Sequence, residues 1–67
     1  MIQLIADGRI ENGDRAVLWR HGNYHYELEV GSGTVNKRSI DLTDTEYEVA
    51  CNMLQALCVG KVIKAVA

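Results

Sequence analysis

The stretch Arg15-Ala16-Val17-Leu18-Trp19-Arg20-His21-Gly22-Asn23-Tyr24-His25-Tyr26-Glu27-Leu28-Glu29-Val30 decides how this chain folds. Tyr24, Tyr26, Leu28 and Val30 alternate with His25, Glu27 and Glu29, the period of two of a half-buried strand. Arg15 to Arg20 is strand-like as well. Between them, His21-Gly22-Asn23-Tyr24 fits a hairpin with a two-residue loop, Gly22 taking the first central position of a type II′ turn. That register sets Trp19 opposite Tyr26, Val17 opposite Leu28 and Arg20 opposite His25. The column Val17/Leu28 and Trp19/Tyr26 is apolar and is expected to face the core. The column Leu18/Glu27 and Ala16/Glu29 is mixed and is expected to stay open.

Downstream, Gly31-Ser32-Gly33 predicts a second turn and Thr34 to Ile40 a third strand. Val35 and Ile40 differ in parity, so an unbroken strand puts them on opposite faces. A bulge near Asn36-Lys37 would reconcile them. Upstream, Ile2 to Ile5 reads as a strand. Asp7-Gly8 and Asn12-Gly13 are both strong hairpin signals, too close together for each to join full-length strands. The residues leave open which of them reverses the chain.

The C-terminal third carries a helix signature. Thr43 and Glu46 have capping-box spacing, and Leu42 and Tyr47 the spacing of a hydrophobic staple. Asp44, Glu46 and Glu48 suit the positive end of a helix dipole. Tyr47, Ala50, Cys51, Leu54, Leu57 and Cys58 follow at three- and four-residue steps. Gly60 offers a C-terminal stop. The expected helix runs from about 44 to 59, and Val62 to Val66 reads as a short final strand. The fold class is therefore α+β: a small antiparallel β-meander of three to four strands packed on one C-terminal α-helix, with a short strand pairing at an edge. The expected core is Val17, Trp19, Tyr26, Leu28, Tyr47, Leu54 and Leu57.

Size and charge narrow the function. The chain has 67 residues and a formal net charge of −2. A single domain of this length has too little chain to wall in a large active site, and its stability is marginal. No stretch approaches the apolar length of a membrane span, and the first residues lack the basic region of a signal peptide. Two cysteines suggest a reducing, cytoplasmic setting. The charge is uneven. Residues 1–26 balance to zero, 27–48 carry −4, and 49–67 add +2. Capture of nucleic acid usually wants a basic face instead.

The reactive side chains do not assemble on paper. Cys51 and Cys58 are seven residues apart on the expected helix, about 10 Å of rise, too far to share a zinc ion or to form a disulfide with each other. In the hairpin register above, His21 and His25 point to opposite faces. Both cysteines lie on the apolar stripe, away from the electropositive niche a nucleophilic thiol needs. Gly31-Ser32-Gly33 leads into a strand and not into a helix, unlike a phosphate loop. No catalytic residue, metal or cofactor is expected.

What remains is binding. The expected function is that of a small non-enzymatic protein-interaction module, acting as a regulator or inhibitor by binding another protein. Bacteriophages and other mobile elements often encode chains of this kind. Its surface would comprise Leu18, Arg20, His25, Glu27, Glu29 and Arg38 on the open face. Asp44, Glu46 and Glu48 at the helix start would meet a basic partner. Strand addition at the 2–5 strand or at the tail offers a second route, with a homodimer as one outcome. Two alternatives stand beside this reading. A nucleic-acid-binding sheet would use Trp19, Tyr24 and Tyr26 for stacking. A self-associating structural subunit would bind mainly its own copy.

Overall fold

The computed structural model describes residues 2–32 and 36–65. The order is β1 (Gln3–Arg9), β2 (Arg15–Gly22), β3 (His25–Ser32), β4 (Asn36–Leu42), α1 (Tyr47–Leu57) and β5 (Ile63–Lys64). The strands form one antiparallel sheet in the order β4-β3-β2-β1-β5. The expected meander, helix and edge-pairing tail strand are all present. No helix among the described residues is long and apolar enough to cross a membrane.

Of the two early turn signals, Asn12-Gly13 reverses the chain. Gly13 takes φ +92°, and the Asp14 amide donates to Asn12 Oδ1 at 2.9 Å. Such an Asx contact is what an Asn-Gly turn provides. Asp7-Gly8 lies inside β1 and serves a different end. A Cβ on Gly8 would sit 2.7 Å from Cys58 Sγ. The missing side chain lets the segment after the helix pack directly on the strand.

The β2–β3 hairpin departs from the expected register. Gly22 faces His25, Arg20 faces Tyr26, Trp19 faces Glu27, and Leu18 faces Leu28, with a register shift between Arg20 and Gly22. His21 is thus an extra residue in β2, and the loop tightens to Asn23-Tyr24. A one-residue slip moves every side chain of a strand to the other face. Leu18 and Ala16 consequently enter the core, while Trp19 and Val17 leave it for the other side of the sheet. A second register shift falls between Leu4 and Ala6 and lets both Ile5 and Ala6 turn inward. The bulge expected near Asn36-Lys37 is absent, because β3 and β4 pair without a shift from Ser32/Asn36 to Tyr26/Leu42. Val35 lies outside the described residues, as does Val66 of the expected 62–66 strand, of which Ile63–Lys64 forms β5.

The core follows from these registers. Ala6, Leu18 and Leu28 form one row across β1, β2 and β3, with Tyr26 and Leu42 in the next. Ala50 and Leu54 of the helix close over them. The helix packs on β2 and β1. Tyr47 and Leu57, expected in the core, are largely exposed, although the Tyr47 ring lies 6.5 Å from that of Tyr26.

The helix starts at Tyr47 rather than 44, and the capping box does not form. Asp44 adopts φ +52°, a left-handed conformation outside any helical turn. The Thr45 amide donates to the Tyr24 carbonyl at 2.9 Å, which ties the connector to the β2–β3 turn. The Thr45 hydroxyl donates to the Thr43 carbonyl. Glu46 becomes the N-cap without a side-chain bond. The helix ends with Cys58 as C-cap, two residues before Gly60. The Val59 amide then bonds the Arg9 carbonyl at 2.8 Å, so the sheet and not Gly60 sets the stop.

Tyr26 is fully buried, and its hydroxyl has no hydrogen-bond partner among the described residues. An unpaired buried hydroxyl costs about 1–3 kcal/mol of desolvation. Tyr26→Phe is therefore expected to raise stability by about 1 kcal/mol or more in urea unfolding. A loss of stability would show that the hydroxyl is bonded after all.

Candidate functional site

The helix covers one side of the sheet, and the other side is open. Register places Leu4, Trp19, Glu27 and Asp41 in one row of this open face, and Asp7, Val17, Glu29 and Ser39 in the next. Arg9, Arg15, Gly31 and Lys37 make the third. Val17 is buried here although no helix lies above it. It forms the floor of a shallow niche lined by Arg15, Trp19, Glu29, Gly31 and Lys37, whose long stems cover apolar surface while their charged heads reach water.

Most charged side chains on this face are held by a partner, either an opposite charge or a histidine ring. Arg15 Nη2 bonds Asp7 Oδ2 at 2.7 Å, and Lys37 Nζ lies 3.5 Å from Glu29 Oε1. The Trp19 indole N–H reaches the same Glu29 oxygen at 3.4 Å. His21 Nε2 meets Glu27 Oε1 at 2.7 Å, and His25 Nε2 meets Asp41 Oδ1 at 3.2 Å. The Ser39 hydroxyl first, and the His21 ring second, hold the Glu27 carboxyl below the usual carboxylate range.

The two histidines do not point to opposite faces, as the expected register required. Their rings stack with centroids 4.8 Å apart and planes 25° from parallel. The extra residue in β2 is the cause, because it turns His21 onto the side that His25 occupies. Both rings thus lie across the sheet from Cys51 and Cys58, which pack on the helix side. Burial, with Asp7 nearby, pushes the Cys58 thiol above its ordinary range. Among the described residues, no three His, Cys, Asp or Glu side chains come together as metal ligands.

The expected site residues divide between the two sides. His25, Glu27 and Glu29 are on the open face. Leu18 is not exposed at all: it is 0% accessible and central to the core. Arg20 shares the row of Tyr26 and Leu42, and Arg38 that of Val30, so both stand on the helix side. Arg20 is held by the Gly22 carbonyl and Asn23 Oδ1. Asp44 and Glu46 are in the connector, and Glu48 is in the first helical turn. The bond from Thr45 to Tyr24 sets that connector at the β2–β3 end of the sheet, next to the row of Glu27 and Asp41. Sequence reasoning missed Trp19, His21, Lys37 and Asp41 as members of the open face.

The sheet is consequently polarised along its strands. The end at the β2–β3 turn holds Glu27, Asp41, Asp44 and Glu46 with a single arginine, Arg20. The opposite end holds Arg9, Arg15, Lys37 and Arg38, with Glu11 and Asp14 in the β1–β2 turn beside them. The 2–5 strand is no edge, since β1 lies between β2 and β5. The edges are β4 and the two-residue β5. No protein-family model, curated protein or solved structure matches this chain.

Proposed function

We propose that this chain is a non-enzymatic protein-binding module that recognises its partner with the open face around Trp19. The observation that carries this reading is the setting of Trp19. A half-buried indole, bonded to Glu29, stands on a regular sheet among charged side chains that are mostly held by partners. Trp is enriched among residues that dominate binding energy, and a rigid sheet loses little entropy on docking. The acidic end, with Glu27 and Asp41, suits a basic segment of the partner and would speed its association. Regulation or inhibition by occupying a partner's surface needs nothing more than this.

The structure lends less support to nucleic acid. A stacking platform of Trp19, Tyr24 and Tyr26 does not exist, because Tyr26 is in the core and Tyr24 in the turn. A phosphate backbone on the open face would also meet Asp7, Glu27, Glu29 and Asp41.

The test is capture from nuclease-treated lysate with the tagged chain and with its Glu27→Lys/Glu29→Lys variant. A stoichiometric protein recovered by the native chain and lost from a folded variant is the expected result. Equal recovery by both would remove the open face as the site. Recovery that vanishes on nuclease treatment would instead favour nucleic acid.

A further inference from the structure

Strand β4 is a long edge. Its seven residues pair with β3 on one side only, and all but Leu42 are exposed. Among the described residues no element pairs with its outer side. Edge strands of this length invite pairing with another chain unless a bulge, a proline, a covering element or unmatched charge, lysine above all, prevents it. The segment 36–42 has neither a proline nor a register shift against β3. What it does carry is a pattern of charge: Asn36-Lys37-Arg38-Ser39-Ile40-Asp41-Leu42.

We infer that two copies of this chain pair antiparallel along β4, on a two-fold axis through Ser39. In that register Lys37 lies opposite the partner's Asp41, and Asp41 opposite the partner's Lys37. Symmetry makes the same ion pair twice. Both side chains belong to the open face, and both are accessible, Lys37 at 43% and Asp41 at 70%. Directly opposed side chains on antiparallel strands are about 5 Å apart at Cβ, close enough for opposite charges to attract and like charges to repel.

The neighbouring registers are worse. An axis through Arg38 sets that guanidinium against its own copy. An axis through Ile40 faces Asp41 with Ser39 and leaves Lys37 without a partner. On the helix side, the Ser39 register places Arg38 against the partner's Ile40. Ile40 is 51% exposed and extends the core row of Leu18 and Leu28 beyond the reach of the helix. An arginine stem can cover it.

The charges along the edge strand agree with this register. Antiparallel pairing sets the Lys37 and Arg38 end of one copy beside the Asp41 and Asp44 end of the other. The two sheets become one of ten strands, with both helices on the same side. The two open faces join into a continuous surface that stays free for a partner, so this pairing stands independently of the function proposed above.

The experiment is sedimentation equilibrium of the full chain over a wide concentration range, with Lys37→Glu, Asp41→Lys, the double exchange, and an equimolar mixture of the single variants. Both positions are exposed, and circular dichroism checks that each variant is folded. The native chain is expected to dimerise. Each single reversal creates two like-charge oppositions and is expected to weaken the dimer at least about tenfold. The double exchange and the mixture both restore opposite signs across the axis and are expected to recover native affinity. A native chain that stays monomeric to millimolar concentration would overturn the inference. So would a dimer indifferent to both reversals, or a mixture that fails to associate.

Discussion

Leu18→Ala is expected to cost 2–5 kcal/mol, the usual range for truncating a fully buried leucine. The loss combines the transfer free energy of the removed carbons with the cavity left behind. Leu18 faces Leu28 on one side and Ala6 on the other, beneath Leu54, and none of the four has more than 2% of its surface accessible. A domain of 67 residues holds only roughly 3–10 kcal/mol in total. A loss at the upper end of that range would take most of the domain's stability, and one at the lower end would leave it folded but clearly weakened. Urea unfolding followed by the emission of Trp19, the single tryptophan, measures the effect. A change below about 0.5 kcal/mol is typical of surface sites and would return Leu18 to the surface, where the sequence reading had placed it.

The second large effect is expected at Gly31. This residue pairs with Arg15 on one side and Lys37 on the other. A Cβ built there would lie 2.0 Å from the Asn36 carbonyl oxygen and 2.8 Å from Lys37 Cα. Both obstacles are backbone, so no side-chain rotation relieves them. Gly31→Ala must pry β4 from β3 at that end. Overpacking of this kind costs about 1–3 kcal/mol and occasionally more. At about 4–8 °C per kcal/mol for a domain of this size, melting should fall by about 4–24 °C. Amides of β4 should lose hydrogen-exchange protection first. Gly13→Ala is the informative contrast, because Gly13 has positive φ but open space around it. A Gly31→Ala variant that melts within two or three degrees of the native chain would refute the steric argument.

Alternation and turn residues made the architecture legible. Period-two patterning in 24–30 and the Asn-Gly and Gly-Asn dipeptides marked the hairpins, and the apolar stripe from Tyr47 to Cys58 marked the helix, of which Ala50 and Leu54 are buried. The inward face of β2 was not legible. Arg15 to Arg20 holds Ala16, Val17, Leu18 and Trp19 in an unbroken apolar run, so both faces look buriable. The choice then rests on one inserted residue at His21, and no residue type there announces a bulge. The same ambiguity misplaced Leu18 and hid Trp19, while the open register of the third strand hid Lys37 and Asp41. The helix start failed for another reason. Thr43 and Glu46 satisfy the local capping rule, but tertiary hydrogen bonding won: the Thr45 amide is spent on Tyr24. Gly8 looked like a turn glycine because a close approach by Cys58, fifty residues later, leaves no local signal. Asp44, Glu46 and Glu48 were recognised as a group, yet the position of that connector beside Glu27 and Asp41 depended on the β3–β4 register and on the bond from Thr45 to Tyr24.

The pairing of β1 with β5 has a consequence for synthesis. β1 is the first strand to leave the ribosome, and its outer neighbour is the last. The Ile5 carbonyl waits for the Ala65 amide, and the Arg9 carbonyl for that of Val59. The hairpins from β1 to β4 involve short loops and can form as they emerge, whereas these closures span most of the chain and come late. Until then the nascent protein exposes an open strand at each side of its sheet, the condition in which partly made chains associate wrongly. A chain truncated after Cys58 should form the meander yet leave β1 accessible to a competing strand.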